Sequence, residues 1–231
     1  MIRENLSKKE EIKDIIIADA VLILAFTMTL DGGVERMSSF GGFAQHFVYL
    51  LPIVAVGVTL SFVLHELMHK FVAEHYGAIA AFRTSHMGLV ITLATGFFGF
   101  LLGIPGATMI YTNSFTRKEE GIVSIAGPLT NFTIFAAMLI ALLILGPQTG
   151  SYLYNMLDFA IFISILLAFF NMLPVPPLDG SKVLRWNKTV YVSMMAIIFV
   201  LMVIFTGIPL SSIILMVFIA LMFSLFYRNV L

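Results

Sequence analysis

Two histidines four residues apart frame a glutamate in the run His65-Glu66-Leu67-Met68-His69. On a helix such positions share a face, so both imidazoles can grip one metal ion while Glu66 reaches a water held on it. A chain of this composition is expected to contain the pattern by chance only on the order of 0.005 times. Its surroundings are apolar. Because an unpaired ionisable group at mid-membrane depth costs about 2.5 to 3.5 kcal/mol, three of them this close together require a common partner.

A catalytic metal of this kind takes a third protein ligand and keeps one position open. His75 continues the run as HELMHKFVAEH, but ten residues on from His65 along an unbroken helix it points about 80° away. It reads as a polar residue at the membrane interface. Glu74 lies on nearly the same face, yet more than two turns along the axis. Asp179 follows Pro174, Pro176 and Pro177 and precedes Gly180. Those prolines forbid regular helix, so irregular backbone presents this carboxylate. From spacing alone a capping residue in a turn is the stronger reading of Asp179, and only the topology of the chain favours a ligand.

The 231 residues are 60% hydrophobic and 11% charged, with a mean hydropathy of +1.02. Soluble globules carry about 25% charged residues, so this chain belongs in a lipid bilayer. Positive and negative side chains balance, and no basic run interleaves with aromatics, which argues against a nucleic-acid partner. The absence of cysteine removes disulfides, thiolate metal sites and cysteine nucleophiles. The expected fold is a membrane all-α domain of six transmembrane helices spanning 1–231, with spans near 15–30, 47–72, 122–145, 152–173, 189–206 and 210–227. The polar N-terminus has no cleavage site and reads as a cytosolic lead-in.

Residues 87–111 are apolar but rich in glycine and proline, and they contain the β-friendly Val90, Ile91 and Thr92. They read as a re-entrant, partly extended segment between the second and third spans, whose free strand edge can pair with substrate. With six spans, every Lys and Arg except Arg36 lies on the cytosolic side. A seventh span would divide them almost evenly. The positive-inside rule therefore favours six spans, both termini cytosolic, in the cell membrane. That arrangement puts Asp179 on the same side as His65 and His69, at similar depth.

The chain resembles the site-2 proteases, intramembrane zinc metalloproteases. HELMHKFVAEHYGA matches their metal-binding helix, AGPLTN at 126–131 their third-span motif, and NMLPVPPLDG at 171–180 their Pro-rich motif, in family order. The resemblance implies one Zn2+ per chain on His65, His69 and Asp179, with Glu66 as general base and Asn131 in substrate or oxyanion contact. It also implies single-pass membrane proteins as substrates, cleaved within their transmembrane segments near the cytosolic face. Neither a PDZ-like insertion nor a CBS domain is expected.

Other polar residues have plainer readings. Asn131 inside an apolar helix commonly bonds a neighbouring helix, and Asn171 reads as a tie for the Pro-rich turn. Asp19, one turn inside the first span, can reach back to the interface; Asp158 reads as solvated, His46 and His86 as interfacial, and Trp186 as an interface anchor. A metal transporter and an inactive binding scaffold are the rival functions. A transporter would need ionisable groups on both sides of the bilayer, whereas here they cluster on one.

Overall fold

Away from water a helix satisfies its own backbone groups, and helices occupy all six stretches expected to span. In the computed structural model, which describes residues 7–36, 40–99, 101–112 and 115–230, α1 (Lys8–Leu30) and the short α2 (Gly33–Arg36) come first. α3 (Phe40–Val58) passes through a π-helical turn at Thr59–Val63 into α4 (Leu64–His75). β1 (Ile79–Thr84), α5 (His86–Phe97) and β2 (Gly106–Tyr111) follow. The remainder is α6 (Arg117–Leu145), α7 (Tyr152–Asn171), the short α8 (Asp179–Trp186), α9 (Lys188–Thr206) and α10 (Leu210–Val230). Among the described residues, four helical stretches are long and apolar enough to cross a membrane: Ala44–His75, Arg117–Leu145, Tyr152–Asn171 and Lys188–Thr206.

Local chemistry sets the helix ends. The Thr116 hydroxyl accepts from Glu119 N while the Glu119 carboxylate accepts from Thr116 N, a reciprocal cap that starts α6. α6 stops at Gly146, whose φ of +51° favours glycine. The Ser151 and Asn187 side chains start α7 and α9 by accepting from Tyr154 N and from Thr189 N and Val190 N.

Two larger apolar clusters stand out among the described residues. One joins α6, α7, α8 and α9 around Ile165, Phe169, Met172, Val183, Ile198 and Met202. The other sets Ala18 and Leu22 of α1 against Val54, Val58, Phe62 and Ile163, with Phe82 of β1 beneath them. Both α4 and α8 pack on α6, which brings the second and third sequence motifs to the first.

The segment after α4 corrects one expectation. Val90, Ile91 and Thr92 are not extended; they lie in α5, and the strands flank it. β1 precedes the range expected to re-enter, and it pairs antiparallel with β2, Ile79 opposite Tyr111 and Thr84 opposite Gly106. The glycines serve close approach instead. A Cβ on Gly88 would stand 1.9 Å from Ile104 O, and one on Gly96 would stand 2.7 Å from Ala25 O. Threonine hydroxyls hold the returning chain: Thr92 accepts from Ile104 N at 3.0 Å and Thr95 from Leu102 N at 3.1 Å. Ser85 N donates to Pro105 O at 3.0 Å, so the excursion leaves and returns at one point.

One smaller expectation also changes, and two further residues have defined neighbours. Asp19 accepts from Thr59 Oγ1 at 2.7 Å, tying α1 to the π-turn. Asn171 donates to Leu167 O within its own helix rather than to the Pro-rich turn. Trp186 packs over Gly121, where a Cβ would lie 2.4 Å from the Trp186 Cβ.

Candidate metal centre

α4 holds His65 and His69 one turn apart, and both are buried in the bundle. Its lead-in is fixed to α7 by a 2.7 Å bond between the Ser61 and Ser164 hydroxyls. His69 Nδ1 lies 2.8 Å from Val123 O on α6. A carbonyl can only accept, so Nδ1 carries the proton and a neutral His69 turns the lone pair of Nε2 inward. His65 Nδ1 meets the Asn131 side-chain amide at 3.2 Å. The two Nε2 atoms then face each other at 3.0 Å.

Asp179 supplies the third atom. Its Oδ2 lies 3.1 Å from His69 Nε2 and 3.5 Å from His65 Nε2. Three ligands placed about 2 Å from one tetrahedral ion sit roughly 3.3 Å apart, and these three separations bracket that value. Among the described residues this trio is the one cluster of metal-ligating side chains, its atoms within 4.8 Å of one another. Gly180 permits the approach, since a Cβ there would fall 2.1 Å from Met172 O.

A third element shapes the cavity from the opposite side. Gly127 of α6 faces the imidazoles so closely that a Cβ would lie 2.4 Å from His69 Nε2 and 2.6 Å from His65 Nε2. The backbone thus forms a cradle that any larger residue would fill. A divalent ion fits this donor set: two imidazole nitrogens and one carboxylate oxygen, all on buried side chains.

Glu66 is half-buried beside the trio, its Oε2 accepting from Thr108 N at 2.9 Å and from Thr108 Oγ1 at 2.8 Å. Thr108 lies on β2, and this contact was not legible in the sequence. Asn131 is fully buried, with its amide against His65 and the other amide atom lacking a protein partner among the described residues. The atom placed against His65 Nδ1 is the amide nitrogen Nδ2; exchanging the two nearly indistinguishable ends of the amide would set Oδ1 on a protonated Nδ1, leave the His65 Nε2 lone pair for a metal and turn Nδ2 into the buried position that has no partner. His75 and Glu74 are exposed near the end of α4 and take no part in the trio; Glu74 instead lies 3.9 Å from Lys70. Lys70, next to His69, forms an ion pair with the buried Glu11 of α1. His46 pairs with Asp31, far along the chain from the centre.

The family model described as Peptidase family M50 matches residues 146–206, the stretch that carries Asp179. MJ0611 of Methanocaldococcus jannaschii, named as a candidate zinc metalloprotease, is 42% identical over 145 residues, covering 62% of this chain and 74% of its own. The chain belongs to peptidase family M50, the site-2 protease family. YwhC of Bacillus subtilis, also named as a candidate zinc metalloprotease, is 30% identical over 162 residues, 62% of this chain and 72% of its own. A further relative of this M50 member, MJ0392 of M. jannaschii, is named a zinc metalloprotease; it is 29% identical over 126 residues, 54% of this chain and 31% of its own. No solved structure matches the chain. Family and apolar helices together make it a multi-pass membrane protein.

Proposed function

We propose that this M50 member is an intramembrane zinc endopeptidase that hydrolyses peptide bonds within transmembrane segments of single-pass membrane proteins, near the cytosolic face. The observation that carries the reading is the convergence of His65 Nε2, His69 Nε2 and Asp179 Oδ2, buried among helices apolar enough to cross a bilayer. Zinc held by these three would polarise the scissile carbonyl and make water a nucleophile at neutral pH. Glu66 takes the proton from the attacking water and returns it to the leaving amine. Asn131 holds His65 in its ligand tautomer and offers its amide nitrogen to the substrate carbonyl.

The proposed topology has six spans, both termini cytosolic, and 86–105 as a re-entrant excursion in the cell membrane. The meeting of Ser85 and Pro105 supports a segment that comes back to the side it left, and the Lys and Arg distribution supports the same side for α4 and α8. A substrate helix hides its peptide bonds and must unwind before attack, after which its backbone groups need partners. Phe82 N and Thr108 N, an opposed pair, both point out of the ladder toward carboxylates, so Gly106 and Ile110 share the outward register of Thr108. The extended substrate takes the backbone groups of those two positions.

The test is incubation of the detergent-purified protein with zinc and a single-pass reporter protein, with a chelator arm. Cleavage that stops on chelation is expected, and Glu66→Gln should keep near-normal zinc while losing at least about 100-fold in rate. Zinc binding without cleavage in the unaltered chain would overturn the protease reading in favour of a transporter or scaffold.

A further inference from the structure

The outer edge of β2 does not stand free at its centre. Thr108 N and Thr108 Oγ1 both donate to one oxygen of Glu66, Oε2, at 2.9 and 2.8 Å. The same hydroxyl also lies 3.1 Å from the Glu66 backbone carbonyl. Thr108 sits opposite Phe82 in the ladder, and Phe82 N likewise turns outward, to Glu11 Oε1 at 3.2 Å. In an antiparallel pair such residues exchange no ladder bonds with each other, so the Thr108 amide serves Glu66 without cost to the sheet. Glu11 in turn holds Lys70, four residues past Glu66 on α4. The hairpin is therefore bolted to α4 on both of its edges by carboxylates.

We propose that Thr108 is a positioning residue for the general base. Two donors on Oε2 fix the rotation of the Glu66 carboxylate and leave Oε1 as the oxygen that takes the proton. The inference rests on Glu66 acting as the base, as proposed above, and adds what aims it. A carboxylate on a two-methylene stem next to an open site samples several rotamers, and a misplacement of 1 Å can cost about 100-fold in rate. The clamp comes from the strand whose flanking positions are proposed to receive the substrate. The base and the substrate chain are then referenced to one rigid element.

Thr108→Val keeps shape and the amide donor but removes the hydroxyl; Thr108→Ser restores it. With the full-length protein in detergent, loaded with zinc, Thr108→Val should lower kcat by roughly 10-fold, the scale of one charge-assisted hydrogen bond, with KM and zinc content little changed. Thr108→Ser should recover most of that loss. A second readout needs no turnover: the infrared carboxylate band that disappears in Glu66→Gln should shift in Thr108→Val and keep its position in Thr108→Ser. An unshifted band overturns the clamp whatever the kinetics. A shifted band with kcat unchanged, or with KM alone raised, overturns its role in aiming the base. Failure of the underlying reading looks different, as an unaltered zinc-loaded chain that cleaves nothing, and it would remove the base and this proposal with it.

Discussion

Replacing Gly127 by alanine places one methyl group 2.4 Å from His69 Nε2 and 2.6 Å from both Cε1 and Nε2 of His65. Ordinary contact begins near 3.4 Å, so α6 must retreat or the rings must swing by roughly 1 Å, in an interior packed too densely to absorb it freely. Retreat of α6 would also stretch the bond from His69 Nδ1 to Val123 O on the same helix. Metal-ligand distances tolerate only about 0.2 Å. The displacement exceeds that several-fold at two of three ligands, so zinc affinity should fall at least about 100-fold, the upper end of what disturbing outer-shell support costs. Competition of the detergent-purified protein against a chromogenic chelator, with elemental analysis for stoichiometry, measures it. Gly121→Ala is the control: it is equally crowded on the same helix, with a Cβ 2.4 Å from the Trp186 Cβ, and should lower thermal stability while keeping its zinc. An unaltered zinc affinity in Gly127→Ala would refute the geometry on which the centre is built.

Asp179→Ala should lower zinc stoichiometry and activity together, since two imidazoles would hold the ion alone, whereas His75→Ala should retain both; elemental analysis of the two variants decides between the third ligands. Removing zinc from the unaltered protein should lower its Tm, because an ion that binds only the folded state stabilises it by mass action; equal melting with and without chelator would contradict a resident metal. Cysteines at Glu74 and Thr116, both exposed in a chain with no natural cysteine, should both react only with reagent applied from the cytosolic side, and labelling of Thr116→Cys from outside would break the six-span topology.

How far the sequence could be read depends on which signals are local. His65, Glu66 and His69 were legible because helical spacing alone puts them together, and α4 is helical. Asp179 lies more than a hundred residues away, and nothing in its own neighbourhood separates a ligand from a capping carboxylate; the distribution of Lys and Arg carried it to the right end of the bundle. Gly127 was visible as part of a motif, but its purpose depends on the distance between two helices, which no single segment encodes. The hairpin misled in an instructive way. Val90, Ile91 and Thr92 have β-friendly side chains, yet tertiary contacts override so weak a propensity, and the glycines around them answer to Ile104 and Ala25 rather than to strand geometry. Thr108 was not found because a threonine in an apolar run carries no signal until the carboxylate it meets is known.

The burial of so many ionisable groups also has a physical account. Desolvating a carboxylate between helices costs several kcal/mol unless an opposite charge meets it. With a divalent cation between two neutral imidazoles, the charges of Asp179 and Glu66 sum with the ion to zero, so the filled centre presents no net charge to the apolar bundle. Other protons also have a place: His69 Nδ1 on Val123 O and the Thr108 donors on Glu66. Losing any one of these partners would leave a charge or a donor uncompensated inside the buried centre. The contacts that orient the site for chemistry are therefore the same ones that make it tolerable to fold.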